Sequence, residues 1–219
     1  MVRQSRSEAT RRMIINAAVD LFNEMGYPST GMGDVIERVA VTKGALYHHF
    51  RSKESLALAI IDEYVSAQRR VFWRPNDASP ALESIIQGVI VAAEASATDK
   101  LTRTGADLLH TLAKFNEQAA DYYRKWIAEM AARVGQAQAD GDVRADVDPG
   151  VVGEFIVSAL VGVQLIWASA SGNPDLVQRI GQAWEILLPA IVTESSLPYF
   201  REFLARQSQR HTHLKPATE

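Results

Sequence analysis

The chain has 219 residues, no cysteine and a formal net charge of −3 at pH 7. This length fits one large domain or two small ones, and the lack of cysteine excludes disulfide bonds, thiolate metal sites and a cysteine nucleophile. The first twelve residues are polar and basic, unlike a secretion signal. No apolar run approaches the roughly 20 residues of a membrane span, so we expect a cytoplasmic protein without a membrane partner.

The charge is distributed unevenly along the chain. Residues 1–60 carry eight basic and six acidic side chains, whereas residues 61–219 carry fifteen and twenty. A basic end on an acidic body favours a local anionic partner, although charge alone fits an ordinary solvated surface equally well. Four arginines of the basic end lie within the first twelve residues: Arg3, Arg6, Arg11 and Arg12.

Helical patterns fill nearly the whole chain, and no segment alternates as a β-strand does. Apolar residues recur at helical spacing from Met13 to Met25, and Gly26 ends that helix. Two short helices follow, with Thr42 as the N-cap of the second. A helix of 20 residues comes next, spanning roughly 30 Å. After the first, the predicted helices are about 32–39, 43–50, 53–72, 80–97, 100–115, 117–140, 149–171, 174–193 and 198–206.

These elements predict an all-α protein with two domains. Residues 1–52 form a three-helix domain that contains a helix-turn-helix, and the long fourth helix joins it to a second helical domain over 53–206. Breaks are expected at 74–80, 98–99, 141–142 and 172–174. Residues 207–219 are polar and are predicted to form a disordered tail.

The helix predicted over 43–50 carries polar residues where exposure is expected. A helix N-terminus with a hydroxyl and free N–H groups binds anions, and Lys43 adds positive charge there. Gly44 removes a side chain where the helix would approach a groove, and Tyr47 and His48 can donate to phosphate oxygens. Lys53 offers another phosphate contact. The alternative is a plain three-helix cap with polar outer positions. The candidate DNA contacts are Thr42, Lys43, Gly44, Tyr47, His48 and Lys53.

The segment Gly26 to Leu56, GYPSTGMGDVIERVAVTKGALYHHFRSKESL, resembles the DNA-binding domain of the TetR family of bacterial repressors. VTKGALYHHF is highly specific to that family, and the order of long helices extends the resemblance over nearly the whole chain. It implies that the candidate contacts bind double-stranded DNA, with Lys43 reading a base edge. It also implies that Leu46 and Phe50 lie in the core. His49 fits either a phosphate contact or packing.

Other parts of the same region are less regular. The resemblance allows Arg3 and Arg6 to reach an adjacent groove as a flexible arm. Gly31 stands where the family often has a second threonine, which weakens one helix N-cap and one phosphate contact. Ala40 stands where the turn usually has glycine, so a mildly strained turn is expected.

Five segments resemble the γ-butyrolactone receptor branch of the family: TRRMIINAAVDLF with TKGALYHHF, YYRKWIAEM, VSALVGVQLIW and QAWEILLPAIV. The resemblance implies a small apolar effector, and pockets for such ligands are mostly apolar with a few polar groups. Trp126 offers a large face and one N–H donor. Gln164 lies in an apolar run and needs a partner, which a ligand carbonyl or a second subunit can supply. Packing in the core is the alternative for each candidate. The candidate effector contacts are Trp126, Gln164, Tyr64, Leu108, Leu112, Phe115 and Val161.

The helices over about 149–171 and 174–193 have broad apolar faces that need cover. Two copies related by a two-fold axis would form a four-helix interface, whereas an intramolecular core that uses all this surface is the alternative. A homodimer would also place two reading helices roughly 34 Å apart, or at a longer helically phased spacing, on a palindromic operator.

We therefore predict a transcriptional repressor that a small molecule releases from DNA and that needs no cofactor. A sensor of a drug or antibiotic intermediate, a pseudo-receptor for another signal and a ligand-blind DNA-binding protein remain open. Catalysis is not expected, because no nucleophile elbow, HExxH motif or phosphate loop occurs and His110 stands alone on its helix. No metal site is expected, since His48 and His49 point about 100° apart.

Overall fold

The computed structural model describes residues 2–72, 79–169 and 175–212. The predicted all-α class is confirmed, since these residues form ten helices, and their sole extended pairing is one antiparallel bridge between Val143 and Val192. The helices are α1 (Val2–Met25), α2 (Met32–Val39), α3 (Lys43–His49), α4 (Lys53–Phe72), α5 (Ala81–Thr98), α6 (Lys100–Leu112), α7 (Glu117–Ala139), α8 (Pro149–Ser169), α9 (Leu176–Ile191) and α10 (Leu197–Thr212).

The helices α2 and α4 have the predicted bounds, most other helix ends differ by one to three residues, and the largest differences are at the start of α1 and the end of α10. The helix α1 begins at Val2, so the prediction that Arg3 and Arg6 lie in a flexible arm is wrong. The helix α10 continues to Thr212, so residues 207–212 are helical and the predicted tail is too long. Residues 213–219 lie outside the described residues. The predicted break at 172–174 and most of the one at 74–80 also lie outside them.

The chain forms two compact units. The first comprises Met1–Ala67 and Thr98–Asp121, and the second comprises Gln68–Ala97 and Tyr122–Glu219. The first unit therefore includes α6 and most of α4 in addition to the residues of the predicted 1–52 domain. The helix α4 contributes to both units, since it runs without a break from Lys53 to Phe72.

The first unit is held by apolar packing and by polar links between α1 and α6. Lys100 forms an ion pair with Asp20 at 2.8 Å, and the Asn23 amide donates to the Thr104 hydroxyl. The ring of Tyr64 lies directly against Gly105, where a β-carbon would collide with it. The helix α6 belongs to this unit through contacts with residues distant in sequence. Residues 68–97, which belong to the second unit, therefore separate the two segments of the first unit in the chain.

The second unit surrounds an apolar core built from α4 to α10 without α6. Phe72 packs directly on the backbone of Gly88, and any side chain at residue 88 would displace that ring. On α8, a β-carbon at Gly153 would lie 2.6 Å from the backbone nitrogen of Ala131. These two glycines let neighbouring helices approach more closely than other residues would allow.

The helix α8 corrects the prediction that no apolar run approaches the length of a membrane span. It has 21 residues, and by length and composition it is long and apolar enough to cross a membrane. A third of its apolar window is buried in the structure. The core helix of a soluble protein meets the same criterion, so one such helix is weak support for a membrane span.

The turn between α2 and α3 contains backbone strain. Ala40 has φ 54° and ψ 40°, the left-handed conformation, and is the sole non-glycine residue with positive φ among those described. An L-residue pays about 1–2 kcal/mol there, because its β-carbon crowds the following carbonyl.

We expect Ala40→Gly to stabilise the protein by about 0.5–1 kcal/mol, because the strain relieved exceeds the entropy glycine adds to the unfolded chain. Urea unfolding followed by circular dichroism measures this difference. The matched control is Ala45→Gly within α3, which should destabilise, since residue 45 is helical. Equal destabilisation by both changes would contradict the strain at Ala40.

Candidate DNA-binding and effector sites

The helix α3 presents a polar face to solvent. Its inner face is fixed by Leu46 and Phe50, both buried. Its start is fixed by Thr42, whose hydroxyl oxygen accepts the Ala45 N–H at 3.1 Å. Five of the six candidate DNA contacts are exposed along the other face: Thr42, Lys43, Gly44, Tyr47 and His48.

Gly44 has no packing reason to be glycine within the described part of the chain. A β-carbon built there meets no atom within 4 Å, and the residue is exposed on a helix of seven residues. Glycine in a helix costs about 1 kcal/mol relative to alanine. The protein therefore retains a destabilising residue on the face that points outward.

His49 differs from its neighbours on α3 because it is half-buried. Burial lowers the pKa of its imidazole, and the charges of His48 and Arg11 lower it further. A neutral imidazole follows at pH 7. His49 is thus suited to packing rather than to acting as a cationic phosphate contact.

Unlike Lys43, the candidate DNA contact Lys53 has its charged group bound within the protein. Its Nζ donates to the carbonyl oxygens of Tyr27, Pro28 and Thr30 at 2.9, 3.2 and 2.9 Å. The ammonium also lies 4.5 Å from the centre of the Tyr27 ring. An ammonium has three N–H donors, so a phosphate contact would require exchange of one of these bonds.

Part of the basic N-terminal charge is paired within the first unit. Arg12 and Arg11 lie 2.6 and 3.5 Å from the carboxylate of Glu63 on α4, and Arg11 also lies over the Phe50 ring. These two arginines therefore link α1 to its neighbours. Arg6 is exposed on α1.

The start of α2 is as weak as its sequence predicts. Gly31 is the N-cap and supplies no side-chain bond. Asp34 provides the other half of a capping arrangement, since its carboxylate accepts the Gly31 N–H at 2.7 Å. The predicted loss of one N-cap bond at Gly31 is confirmed.

The predicted effector contacts divide between the two units. Tyr64, Leu108 and Leu112 belong to the first unit and are buried there. Phe115 belongs to the same unit, but 70% of it is exposed in the turn that follows α6. An aromatic ring so exposed does not form a pocket wall in this structure, which contradicts the prediction for Phe115.

Trp126, Val161 and Gln164 belong to the second unit and are half-buried. The Trp126 ring meets the Phe72 ring edge to face with 6.0 Å between centroids. Its Nε1 is buried and has no hydrogen-bond partner. Val161 packs against the apolar core.

Gln164 already has a partner within the chain. Its Nε2 donates to the Ser96 hydroxyl oxygen at 3.2 Å, and that hydroxyl donates to the Ala92 carbonyl at 2.9 Å. The amide therefore has a partner within the chain for one N–H, while its second N–H and its oxygen remain for the predicted effector contact. The partner is 68 residues distant in sequence, so no local pattern reveals it.

Gln68 is a further polar residue of the second unit, and it is not among the predicted effector contacts. It is 7% exposed on α4, and its Nε2 is buried without a hydrogen-bond partner. The signal in the sequence is a lone amide on the apolar side of α4, at helical spacing from Tyr64 and Phe72.

The apolar surface of α8 and α9 is divided between the core and solvent. Val152, Ile156 and Leu160 are buried in the chain's own core, whereas other large apolar residues of the two helices are exposed. A groove between α8 and α9 is lined by apolar side chains that include Ala159, Ala183 and Leu187. The exposed set is Val151, Phe155, Leu165, Ile166 and Ile186.

Comparison with known proteins agrees with this arrangement. The family model of bacterial regulatory proteins of the tetR family matches residues 14–60, and a tetracyclin repressor-like C-terminal domain matches residues 79–193. The A-factor receptor protein of Streptomyces griseus is 32% identical over 191 residues, which cover 87% of this chain and 67% of that protein.

Solved structures give the same result. A γ-butyrolactone receptor described as ArpA-like is 28% identical, with a TM-score of 0.78 over 94% of this chain and 99% of that one. The TetR family protein CprB from Streptomyces coelicolor, in complex with its operator, is 28% identical, with a TM-score of 0.75 over 94% of this chain and 99% of that one. With two family models covering both parts of the chain, this protein belongs to the TetR family of DNA-binding transcriptional repressors and is similar to its γ-butyrolactone receptors.

Proposed function

We propose that this repressor binds a palindromic operator as a homodimer in the cytoplasm, and that a small apolar effector of the γ-butyrolactone type releases it. The observation that carries the DNA part is the outward polar face of α3, with Lys43 and Thr42 at its N-terminus. Free N–H groups and a cation at a helix start suit a phosphate, and a lysine can read guanine in the major groove.

The exposed apolar residues of α8 and α9 support a two-fold interface. Regulators of this family bind DNA operators as dimers. Phe155 and Ile186 are 53% and 78% exposed, and large exposed apolar side chains clustered on adjacent helices are typical of a subunit contact. In a two-fold interface the same residues of both subunits would be buried.

Trp126 supports the sensing part of the proposal. Its ring lies against Phe72 and the apolar core of the second unit, and its N–H lacks a partner there. A buried donor of this kind suits a ligand carbonyl within apolar walls. The indole would thus both pack against the effector and orient it.

The helix α4 provides the route from effector to DNA. Residues 68–72 belong to the unit that contains Trp126, and residues 53–67 belong to the unit that contains α3. An effector that displaces residues 68–72 therefore acts on a helix that continues into the DNA-binding unit. Coupling of about 1–3 kcal/mol corresponds to a 5–150-fold change in operator affinity, and the operator must weaken effector binding by the same factor.

The test is fluorescence anisotropy with an operator selected in vitro from random DNA. We expect a symmetric selected site, and we expect a 2-acyl-γ-butyrolactone to lower the affinity for it. Trp126→Phe keeps the ring but removes the N–H, so it should retain operator affinity and respond only to higher lactone concentrations. A site without symmetry would contradict the dimer, and an affinity unaffected by the lactone would contradict the effector class.

We expect Gly44→Ala to stabilise the protein by about 1 kcal/mol while it weakens operator binding by about tenfold. The added methyl group meets nothing in the protein, so a loss of affinity reports contact with DNA. Gly135→Ala on α7 is the matched control, because a β-carbon there makes only an ordinary 4.0 Å contact with Pro149. That variant should gain stability and keep operator affinity, and unchanged affinity for Gly44→Ala would contradict the proposed groove contact.

A further inference from the structure

The Gln68 amide is an unexplained polar group in the second unit. The residue is 7% exposed, and its Nε2 is buried with no hydrogen-bond partner. Burying an amide without a partner costs free energy, and an apolar residue of similar size would avoid that cost. A glutamine at this position therefore has a reason other than the packing of the free protein.

Gln68 lies beside the Trp126 region of the same unit. Residues four apart on a helix share a face, so Gln68 is one turn from Phe72, whose ring contacts Trp126. The next residue, Arg69, forms an ion pair with Glu129 on α7. These contacts bring the segment 68–72 of α4 alongside the part of α7 that carries Trp126.

Two buried N–H donors without partners, Nε2 of Gln68 and Nε1 of Trp126, are thus both linked to Phe72. Among the described residues, the sole other buried side-chain nitrogen or oxygen without a partner is Nε of Arg179 on α9. A ligand that gives each of these donors an acceptor of its own presents two acceptors. Neutral carbonyl oxygens suit this role, because Phe72 and the apolar core pack against Trp126. The nearby cation, Arg133, already donates to the Phe72 carbonyl oxygen at 3.4 Å.

We infer that Gln68 is a second polar anchor for the effector, and that the effector has two carbonyl acceptors, one for Gln68 and one for Trp126. This inference rests on the sensing part of the proposed function. It assigns Gln68 the role of discriminating ligands, since a compound without the second carbonyl leaves a buried donor unpaired. It also places an effector contact directly on α4.

The experiment compares two probes that differ by one carbonyl, 2-hexanoyl-γ-butyrolactone and 2-hexyl-γ-butyrolactone. Isothermal titration measures both against the wild type, Gln68→Met and the control Gln207→Met, which changes another buried glutamine of the second unit. We expect the wild type and the control to prefer the acyl lactone by at least about tenfold. Gln68→Met should bind the acyl lactone about tenfold more weakly than the wild type and lose the preference.

Two further readouts separate a ligand contact from a structural role. Gln68→Met should unfold at the same or a higher temperature than the wild type, because it removes an unpaired buried amide. In ¹H–¹⁵N spectra, the indole N–H of Trp126, assigned with Trp126→Phe, should move downfield with both lactones. The side-chain amide of Gln68 should move only with the acyl lactone.

Three results would overturn the inference. They are equal affinity of the wild type and Gln68→Met for the acyl lactone, a lower unfolding temperature for Gln68→Met, and no binding of either lactone by the wild type. The first leaves the proposed function intact. The last contradicts the lactone effector as well, and selection of a symmetric operator then shows whether the DNA part of the proposal still holds.

Discussion

We expect Phe155→Glu to separate the proposed dimer into monomers and to lower operator affinity by at least about 100-fold. Phe155 is exposed on α8 beside the groove that α8 forms with α9. In a two-fold interface the substitution occurs twice, so two carboxylates would lose hydration and also repel each other. A monomer has one DNA-binding unit and contacts only half of a palindromic operator. The increase in operator affinity that comes from linking two binding units is then lost.

Light scattering coupled to size exclusion checks the first part of this result. The mass should fall from twice 24.1 kDa to 24.1 kDa, while circular dichroism shows unchanged helix content. Phe115→Glu is the matched control, since it introduces the same charge at an exposed aromatic residue of the first unit. If Phe155→Glu stays dimeric at micromolar concentration, α8 is not the interface.

The second large effect concerns the reading of bases. We expect Lys43→Ala to reduce discrimination between the selected operator and unrelated DNA by about 5–150-fold, the equivalent of the 1–3 kcal/mol that a good base contact supplies. Lys43 is exposed and forms no ion pair with any described residue. Its loss should therefore leave the unfolding free energy nearly unchanged.

Lys53→Met provides the contrast, because Lys53 is bound to three backbone carbonyls. We expect it to lower the free energy of unfolding by about 1.5–3 kcal/mol, the range for hydrogen bonds from a charged group, with discrimination unchanged. Anisotropy with specific and competitor DNA, together with urea unfolding, separates the two lysines. Retained discrimination in Lys43→Ala would limit that residue to a backbone contact, which the salt dependence of binding would then report.

Local sequence signals predicted most of the fold. The spacing of apolar residues and the breaks at glycine and proline gave α2 and α4 their bounds, and Thr42 is the N-cap of α3 as predicted. The resemblance to the TetR family placed Leu46 and Phe50 in the core, where the structure has them. The same resemblance predicted the strained turn at Ala40, because the family usually has glycine there.

Features that depend on distant contacts were missed. The N-terminal arginines extend a helix that is partly held by Glu63, and the Gln164 amide donates to Ser96 on another helix. The predicted helix over 198–206 includes the buried Phe200, Phe203 and Leu204 of α10. Only its continuation through 207–212 was missed, because those residues are polar. Gln68 was overlooked for the opposite reason, because a single amide hardly changes an apolar pattern.

The interleaving of the two units along the chain has a consequence for protein engineering. The DNA-binding unit returns after thirty residues to recruit α6, which is tied to α1 by Lys100 and Thr104. A hybrid regulator that takes its DNA-binding unit from a relative therefore needs three junctions, after residues 67, 97 and 121. A single junction after the helix-turn-helix would transfer α1 to α3 without α6, the helix that packs against α1 in the same unit.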